Sequence, residues 1–437
     1  MRFVVALLAA PLFTCRLFAQ VPAPPPTTTS DQSPSANPIT SLASEFLDHD
    51  FFNYFLFANG VYDSQPLTVG GRNVNQGGWG FDGGGGADAF KQFRDGFISF
   101  GYRGDYRDYS SSFYPSGTDQ SLSFAYQKRL NRRWSFTVNA NAGIFLYGGT
   151  YFAAQPSEVD YVQPNPFSSE SKFLAGGLAL SYRQTRRLSY VFTGNFFLNR
   201  YNIAGSIGAT GLTGSASALY RLTGPTTVGG TYSHSYFTYQ LGAGQAQADT
   251  FVGTISHSFH DRWSASVSAG VTRTDTNGTI TVPVLVEEGS NLIPGYAVGH
   301  YSRVSTFPSV IANVTRTMRR SSINVSGGQN IASGNGVYLA SENRFLNGYY
   351  SYSMRHSNLS FGGGMSHLTS VANAVSYTYS SGSFSGSYAY NLMRHLGLNF
   401  RYDYVRYGSF GSVHDVTDNR LTFGVYFSSK SVPLTLF

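Results

Sequence analysis

The chain has 437 residues, of which 12% are charged, 16% are aromatic and 49 are glycine. Soluble domains carry about 25% charged residues, and the mean hydropathy of −0.16 is too low for a protein built from membrane-spanning helices. The composition therefore disfavours both classes and favours a sheet with one face towards lipid. The formal net charge of +7 comes from basic residues that are spread along the chain, which argues against a nucleic-acid partner.

The N-terminus predicts export. Arg2 is followed by an apolar run from Phe3 to Phe13, so we predict a secretory signal peptide over residues 1–19, with cleavage after Ala19. The sequence does not decide whether Cys15, the single cysteine, is lipidated. Residues 20–48 are rich in proline, serine and threonine. Such a composition cannot bury a core, and it predicts a periplasmic linker.

Residues 49–428 contain a repeated period-two pattern. In the stretch RWSASVSAGVTRT, Trp263 and every second residue as far as Val271 are apolar. The residues between them are serine, glycine and threonine. This alternation predicts a strand with one apolar face and one small polar face, and it recurs in RRWSFTVNANAGIFL and LGLNFRYDYVRY.

Short, mostly basic turns separate the strands at regular intervals. They lie at Arg94, Arg132, Arg186, Gly224, Asp261, Arg319, His356, Arg394 and Lys430, and six of the eight intervals are 36–38 residues. Two strands of about 11 residues, a short turn and a longer loop account for this period. The two longer intervals contain proline-bearing inserts at 147–171 and 275–302, which we predict to be loops. In the second insert, Asn277 and Gly278 predict a tight turn.

The strands should form an all-β, transmembrane, antiparallel up-and-down β-barrel. A tilted strand of about 11 residues matches the apolar band of the bilayer, and lipid tolerates no unpaired strand edge. The apolar faces then contact lipid, while the small polar faces enclose water. Counting from Phe51–Tyr62 gives about 18 strands, with both ends on the short-turn side. The alternative is 16 strands, if GFDGGGGADAF or VSYTYSSGSFSGS is miscounted.

The last strand, RLTFGVYF, places Leu421, Phe423, Val425 and Phe427 on one face and ends on an aromatic residue. With the alternation and the turn spacing, this makes the chain from about Phe51 to Phe427 resemble bacterial outer-membrane β-barrels of the porin type. The resemblance implies a place in the outer membrane in contact with its lipid. It also implies recognition of the last strand by the barrel-assembly machinery. Ten residues follow Phe427, unlike the family pattern, and we predict a short tail over residues 429–437.

Charged residues predict a constriction in the lumen. The third long connection, at 147–171, carries Glu158 and Asp160, and in porins this loop often narrows the channel. We expect Arg103, Arg401 and Asp403 to face the lumen. Because charged rings at a constriction set solute preference, the two loop acids are predicted to face lumenal arginines. An ordinary surface loop is the alternative.

No motif predicts catalysis, a metal or a cofactor. GWGFDG fits G-x-G-x-x-G, but more glycines and a strand follow it instead of a helix. DTNGT lacks the glutamate of a calcium loop, and the histidines form no metal signature. We therefore predict a porin-like channel for small hydrophilic solutes without enzymatic activity. A structural or surface-interaction barrel with a closed lumen is the alternative, and the sequence leaves the solute and a homo-oligomeric state open.

Overall fold

The computed structural model describes residues 51–64, 68–69, 72–73, 77–110, 116–145, 170–201, 208–259, 262–288, 291–332, 340–371, 378–408 and 416–429. The predicted signal peptide, the linker and all of the tail except Ser429 lie outside the described residues, as do Glu158 and Asp160. No helix in these described ranges is long and apolar enough to cross a membrane.

Eighteen strands form one sheet, and two short strands pair apart from it. The short strands are β2 (Thr68–Val69) and β3 (Arg72–Asn73). The first ten strands of the large sheet are β1 (Phe51–Asp63), β4 (Gly78–Phe93), β5 (Gly96–Tyr109), β6 (Gly117–Arg129), β7 (Trp134–Phe145), β8 (Ser171–Arg183), β9 (Leu188–Tyr201), β10 (Ala209–Arg221), β11 (Thr226–Tyr239) and β12 (Gly244–Phe259). The other eight are β13 (Trp263–Glu288), β14 (Asn291–Thr317), β15 (Ser321–Ala332), β16 (Ser341–Ser353), β17 (Ser357–Ser370), β18 (Thr378–Asn391), β19 (Leu396–Gly408) and β20 (Val416–Ser428). A single turn of 3-10 helix, Gln240–Gly242, joins β11 to β12.

The large sheet closes into a barrel. Each strand pairs antiparallel with its neighbours in the chain, and β1 pairs with β4 on one edge and with β20 on the other. The register across this closing seam runs from Phe55 opposite Ser428 to Asp63 opposite Arg420. The predicted up-and-down barrel of about 18 strands is confirmed, and the 16-strand alternative is wrong. Both glycine- or serine-rich stretches in question contribute strands, β4 and β18.

The eight predicted short turns from Arg94 to Arg394 all separate consecutive barrel strands, and the ninth, at Lys430, lies outside the described residues. Side-chain caps explain the geometry of three of them. Asn131 Oδ1 accepts the N–H groups of Arg133 and Trp134 at 2.8 and 3.0 Å. Thr185 Oγ1 and Thr223 Oγ1 accept turn N–H groups in the same way. Such local bonds satisfy backbone groups that a tight turn would otherwise leave unpaired.

The two faces of the barrel wall differ as the alternation predicts. Large apolar side chains are exposed on the outer face, among them Leu178 and Phe192. The outward apolar sets span residues 174–182 on β8, 190–198 on β9 and 263–271 on β13. In each case the next outward residue is charged: Lys172, Arg200 or Arg273. Because a strand needs about 9–11 residues to cross a bilayer, these charges mark one edge of the lipid-facing band.

Hydroxyl groups line much of the inner face. Hydrogen bonds join Thr193 to Ser215 at 2.6 Å and Thr250 to Thr272 at 2.9 Å across neighbouring strands. In the stretch that first indicated the pattern, Ser268 bonds Thr254 at 2.8 Å. Such cross-strand pairs stabilise a sheet, and they confirm that the small hydroxylated residues occupy the face opposite the apolar one.

The predicted loop at 275–302 is wrong. Both β13 and β14 continue through it and pair with each other as far as Glu288 and Asn291. Asn277 and Gly278 form no turn, because they pair with β12 on one side and β14 on the other. Prolines in this segment suggested a loop, yet Pro283 and Pro294 lie where the two-stranded ribbon has outrun its neighbours. A strand edge without a partner tolerates the missing N–H of proline.

The interior is not polar throughout. An apolar cluster packs inside the wall of β9 to β16, towards the long connections. Phe237 is fully buried in it, and Phe197 lies 6.1 Å from Phe237 between ring centroids. Tyr239, Phe307 and the flanking alanines complete the packing. The expectation that small polar and charged residues line the lumen was therefore incomplete, because the alternating pattern does not distinguish an inward aromatic from an outward one near a strand end.

Candidate functional site

The inner face of six adjacent strands carries a concentration of charge. These strands are β19, β20, β1, β4, β5 and β6, which lie next to one another because the barrel closes between β20 and β1. We define the charged wall as Asp63, Asp82, Asp105, Asp119, Asp403, Asp418, Arg103, Arg107, Arg401 and Arg420. Most of these side chains are largely buried against the wall.

An ion pair spans the closing seam. Arg420 donates from Nε and Nη2 to Asp63 Oδ2, each at 3.0 Å. Tyr109 donates its hydroxyl to the same oxygen at 3.2 Å. The side chain of Asp63 is 3% exposed and that of Arg420 is 10% exposed. Asp403 lies directly opposite Arg420 on the other side, so the charge sign alternates across the three strands.

Strand β5 places charges of alternating sign along its inner face. Arg103, Asp105 and Arg107 are two residues apart and therefore point the same way. Arg107 Nη2 lies 3.5 Å from Asp82 Oδ2 on β4, and Arg103 Nε lies 3.8 Å from Asp105 Oδ1. The two arginines flank Asp105, whose direct cross-strand neighbour is Asp119. Nearby positive charge offsets the repulsion between these two carboxylates.

The glycine run of β4 makes room for this wall. A Cβ at Gly86 would overlap the carbonyl oxygen of Tyr102 and the ring of Phe55. A Cβ at Gly84 would overlap the backbone of β5. With glycine at these positions, aromatic rings lie close to the strand, and the Arg103 guanidinium sits 5.1 Å from the centroid of Phe57. The GFDGGGG motif is therefore a packing feature of the wall.

The sequence-predicted lumenal residues that the structure describes, Arg103, Arg401 and Asp403, lie on this wall. Arg401 Nε is 2.7 Å from an oxygen of Asp403, two residues away on β19. Arg103 lies on β5, on the same side of the barrel as Arg401, and each arginine contacts an acid of its own strand. The predicted contacts to Glu158 and Asp160 lie outside the described residues.

Sequence reasoning missed the wall residues Asp63, Arg107 and Arg420. Each occupies an inward position of its alternating strand, in VYD, RGDYRD and TDNR, so the sequence did contain a signal for them. The association of Asp63 with Arg420 follows only from closure of the barrel. Within the described ranges, no three His, Cys, Asp or Glu side chains form a group that could hold a metal ion.

The wall offers charge-assisted hydrogen-bond donors and acceptors side by side. Such bonds are about twice as strong as neutral ones. A polar solute against this wall would meet guanidinium and carboxylate groups within one strand spacing of each other, about 4.8 Å. Carboxylates outnumber guanidinium groups six to four in the set, so the wall as a whole is acidic.

Comparisons with known proteins give matches among solved structures alone. No family model and no curated protein matches the chain. Among solved structures, OccK2 (OpdF) of Pseudomonas aeruginosa is 14% identical, with a TM-score of 0.40 over 86% of this chain and 98% of that one. OccK9 (OpdG) of the same organism is 12% identical, with a TM-score of 0.41 over 88% of this chain and 100% of that one. A BenF-like porin from Pseudomonas fluorescens Pf-5 is 12% identical, with a TM-score of 0.40 over 88% and 99%.

The closed sheet and the outward apolar band fit a membrane on physical grounds. A barrel leaves no strand edge unpaired in lipid, and its exposed apolar faces match the thickness of a bilayer. The described residues form a closed, antiparallel β-barrel of 18 strands with an outward apolar band.

Proposed function

We propose that the barrel is a channel for the passive diffusion of small hydrophilic solutes. The charged wall is the observation that carries this proposal. Burying an ion in a dry interior costs several kcal/mol even after relaxation, so ten ionisable side chains on one inner face favour a watery lumen. A barrel of 18 strands is also in the size range that leaves an aqueous channel.

Planar-bilayer conductance tests the channel. Purified folded protein should insert and produce discrete current steps, because hydrated ions pass along the charged wall. A sample that is boiled before addition is the matched control and should give no steps. Persistent silence from protein that migrates as a folded barrel in unheated gel electrophoresis would contradict the proposal.

A closed-lumen scaffold is the second candidate. The apolar cluster favours it, because Phe237 is 0% exposed and Tyr239 is 3% exposed inside the wall. Packed aromatic rings occupy part of the cross-section that a channel would need. Replacing Phe237 by Ala should then create conductance in a silent barrel, whereas in an open channel it should only enlarge existing steps.

The proposal also gives roles to the signal peptide, the linker and the last strand. The signal peptide at 1–19 and the linker at 20–48 would deliver the barrel through the periplasm. The face formed by Leu421, Phe423, Val425 and Phe427 would be read by the barrel-assembly machinery. Phe423, Val425 and Phe427 are exposed on the outside, which supports access to this face during folding. The barrel can exist as a monomer or as a homo-oligomer, and conductance requires neither of these two states in particular.

A further inference from the structure

Arginines concentrate in the short turns at one end of the barrel. Seven of the eight turns carry at least one, and the ten are Arg94, Arg132, Arg133, Arg186, Arg187, Arg262, Arg319, Arg320, Arg355 and Arg394. We call these ten residues the arginine collar. All ten are exposed.

Turn geometry brings like charges together. The carbonyl of Arg133 accepts the N–H of Arg183 at 2.8 Å, and the carbonyl of Arg187 accepts that of Arg221 at the same distance. Each bond joins the last residue of one turn to the last residue of a following strand, β8 or β10. The strand-end residues Arg183 and Arg221 therefore lie next to the collar residues Arg133 and Arg187, and adjacent like charges are destabilising.

Few acids compensate this charge. Among the turn residues that the structure describes, the acid is Asp95, which lies 3.1 Å from Arg129. Arg129 is itself a strand-end residue outside the collar. The collar thus carries a large excess of positive charge, which attracts anions to this rim.

The collar borders the lipid-facing band. Trp134 directly follows Arg133, and Trp263 directly follows Arg262. The Arg316 guanidinium lies 4.8 Å from the Trp263 ring centroid, and the Trp134 and Tyr182 rings are 4.5 Å apart. Tryptophan and tyrosine mark the level of lipid headgroups. The arginines are therefore at the depth where phosphate groups lie.

We propose that the arginine collar binds the phosphate groups of anionic phospholipids in the leaflet on the short-turn side. The distribution of the collar arginines around the rim favours anionic phospholipid over other binding partners. A protein partner or a solute would meet one sector or the mouth of the lumen, whereas only the membrane meets the rim of the barrel all around. Adjacent pairs such as Arg319 and Arg320 present two planar guanidinium forks, which suit phosphate oxygens.

Tryptophan fluorescence tests the proposal, because the chain has tryptophans near both rims of the barrel. It contains three tryptophans: Trp134 and Trp263 stand beside the collar, and Trp79 stands on the outer face near the opposite end of β4. A full barrel that keeps only Trp263, with Trp79→Phe and Trp134→Phe, is reconstituted in phosphatidylcholine vesicles containing brominated phosphatidylglycerol. A parallel sample contains brominated phosphatidylcholine.

Each basic residue near an anionic lipid surface is worth about 1 kcal/mol, or about fivefold in affinity. Trp263 should therefore be quenched at least about fivefold more effectively by the anionic bromolipid. The variant Arg262→Gln, Arg319→Gln, Arg320→Gln should lose most of this preference, whereas the corresponding lysine variant should keep it. The barrel that keeps only Trp79 should show no comparable dependence on the collar substitutions.

Equal quenching by the two bromolipids at Trp263 would overturn the proposal. So would a preference that survives the glutamine substitutions in protein shown to be folded by its unheated gel mobility. Collar-dependent binding to isolated cell-wall polymer, without any lipid preference, would assign the collar to a polyanion of the periplasm and would also overturn it.

Discussion

Arg420 on the last strand and Asp63 on the first strand are 357 residues apart in the chain, yet they form a buried ion pair at 3.0 Å. They are direct cross-strand partners at the seam. Formation of this pair and closure of the barrel are therefore one event. The hydroxyl of Tyr109 on β5 donates to the same carboxylate, which ties a third strand to the seam.

Replacing Asp63 by Asn should destabilise the closed barrel. The substitution removes the carboxylate that the buried guanidinium contacts at 3.0 Å, and breaking a buried ion pair costs about 3–5 kcal/mol. The midpoint of urea unfolding in lipid vesicles, followed by unheated gel mobility, measures the loss. Glu342→Gln is the matched control, because its partner Arg344 is 62% exposed, and an exposed pair contributes about 1 kcal/mol or less. Equal effects of the two substitutions would contradict the role of the seam pair.

A methyl group at Gly86 should disrupt the charged wall. The Cβ of Gly86→Ala would overlap a carbonyl oxygen of the backbone, which cannot swing aside as a side chain can. Overpacking of this kind costs about 1–3 kcal/mol or more. Gly348→Ala is the comparison, because a Cβ there meets no atom within 4 Å. The folded fraction after refolding should fall for Gly86→Ala alone; an unchanged fraction would show that β4 can shift away from β5.

The repeated hairpins were readable from the sequence, because a strand in lipid must alternate and each short turn recurs at nearly fixed spacing. Trp263 to Val271 illustrates this: one face had to be apolar for the whole width of the membrane. The long hairpin of β13 and β14 was missed, since Pro283 and Pro294 normally end strands. Only the observed pairing shows that these prolines lie beyond the neighbouring strands.

The charged wall could be predicted in part. Arg103, Arg401 and Asp403 were found because arginine and aspartate at inward positions are conspicuous among serines and glycines. The partnership of Asp63 with Arg420 could not be found without the closing register. The apolar cluster around Phe237 was missed because aromatic residues occur at consecutive positions near this strand end, as Tyr236 and Phe237 do, so the alternation does not show which of them points inward.

Shortening the long hairpin should leave the barrel intact. Past Thr279, whose N–H donates to the carbonyl of Ala243 at 3.1 Å, β13 pairs with β14 alone, so the ribbon beyond it pairs with no other strand of the closed sheet. A variant in which Asn-Gly joins Thr281 to Val298, which are direct partners, should unfold within about 1 kcal/mol of the parent, as surface changes usually do. Failure of this variant to form a heat-modifiable barrel would show that the ribbon is needed for closure.

The loop acids should influence ion selectivity if they face the lumen. The double variant Glu158→Gln, Asp160→Asn removes two negative charges, and a charged constriction sets ion preference. The reversal potential in a salt gradient should shift towards anions. Asp275→Asn removes a charge from the outer face beyond the apolar band and should leave the potential unchanged. An unchanged reversal potential in the double variant would indicate that residues 147–171 are an ordinary surface loop.

Thiol labelling distinguishes the two faces of the wall at a single depth. Val267 and Ser268 are neighbours on β13, with the valine exposed on the outer face and the serine bonded to Thr254 on the inner one. In a Cys15→Ser background, Val267→Cys and Ser268→Cys are each reconstituted in vesicles and treated with a charged, lipid-insoluble maleimide. We expect the maleimide to label Ser268→Cys in intact vesicles. Val267→Cys should stay protected until the membrane is dissolved and the protein is unfolded. Rapid labelling of Val267→Cys in intact vesicles while Ser268→Cys stays unreactive would contradict a barrel whose apolar face meets lipid and whose polar face encloses water.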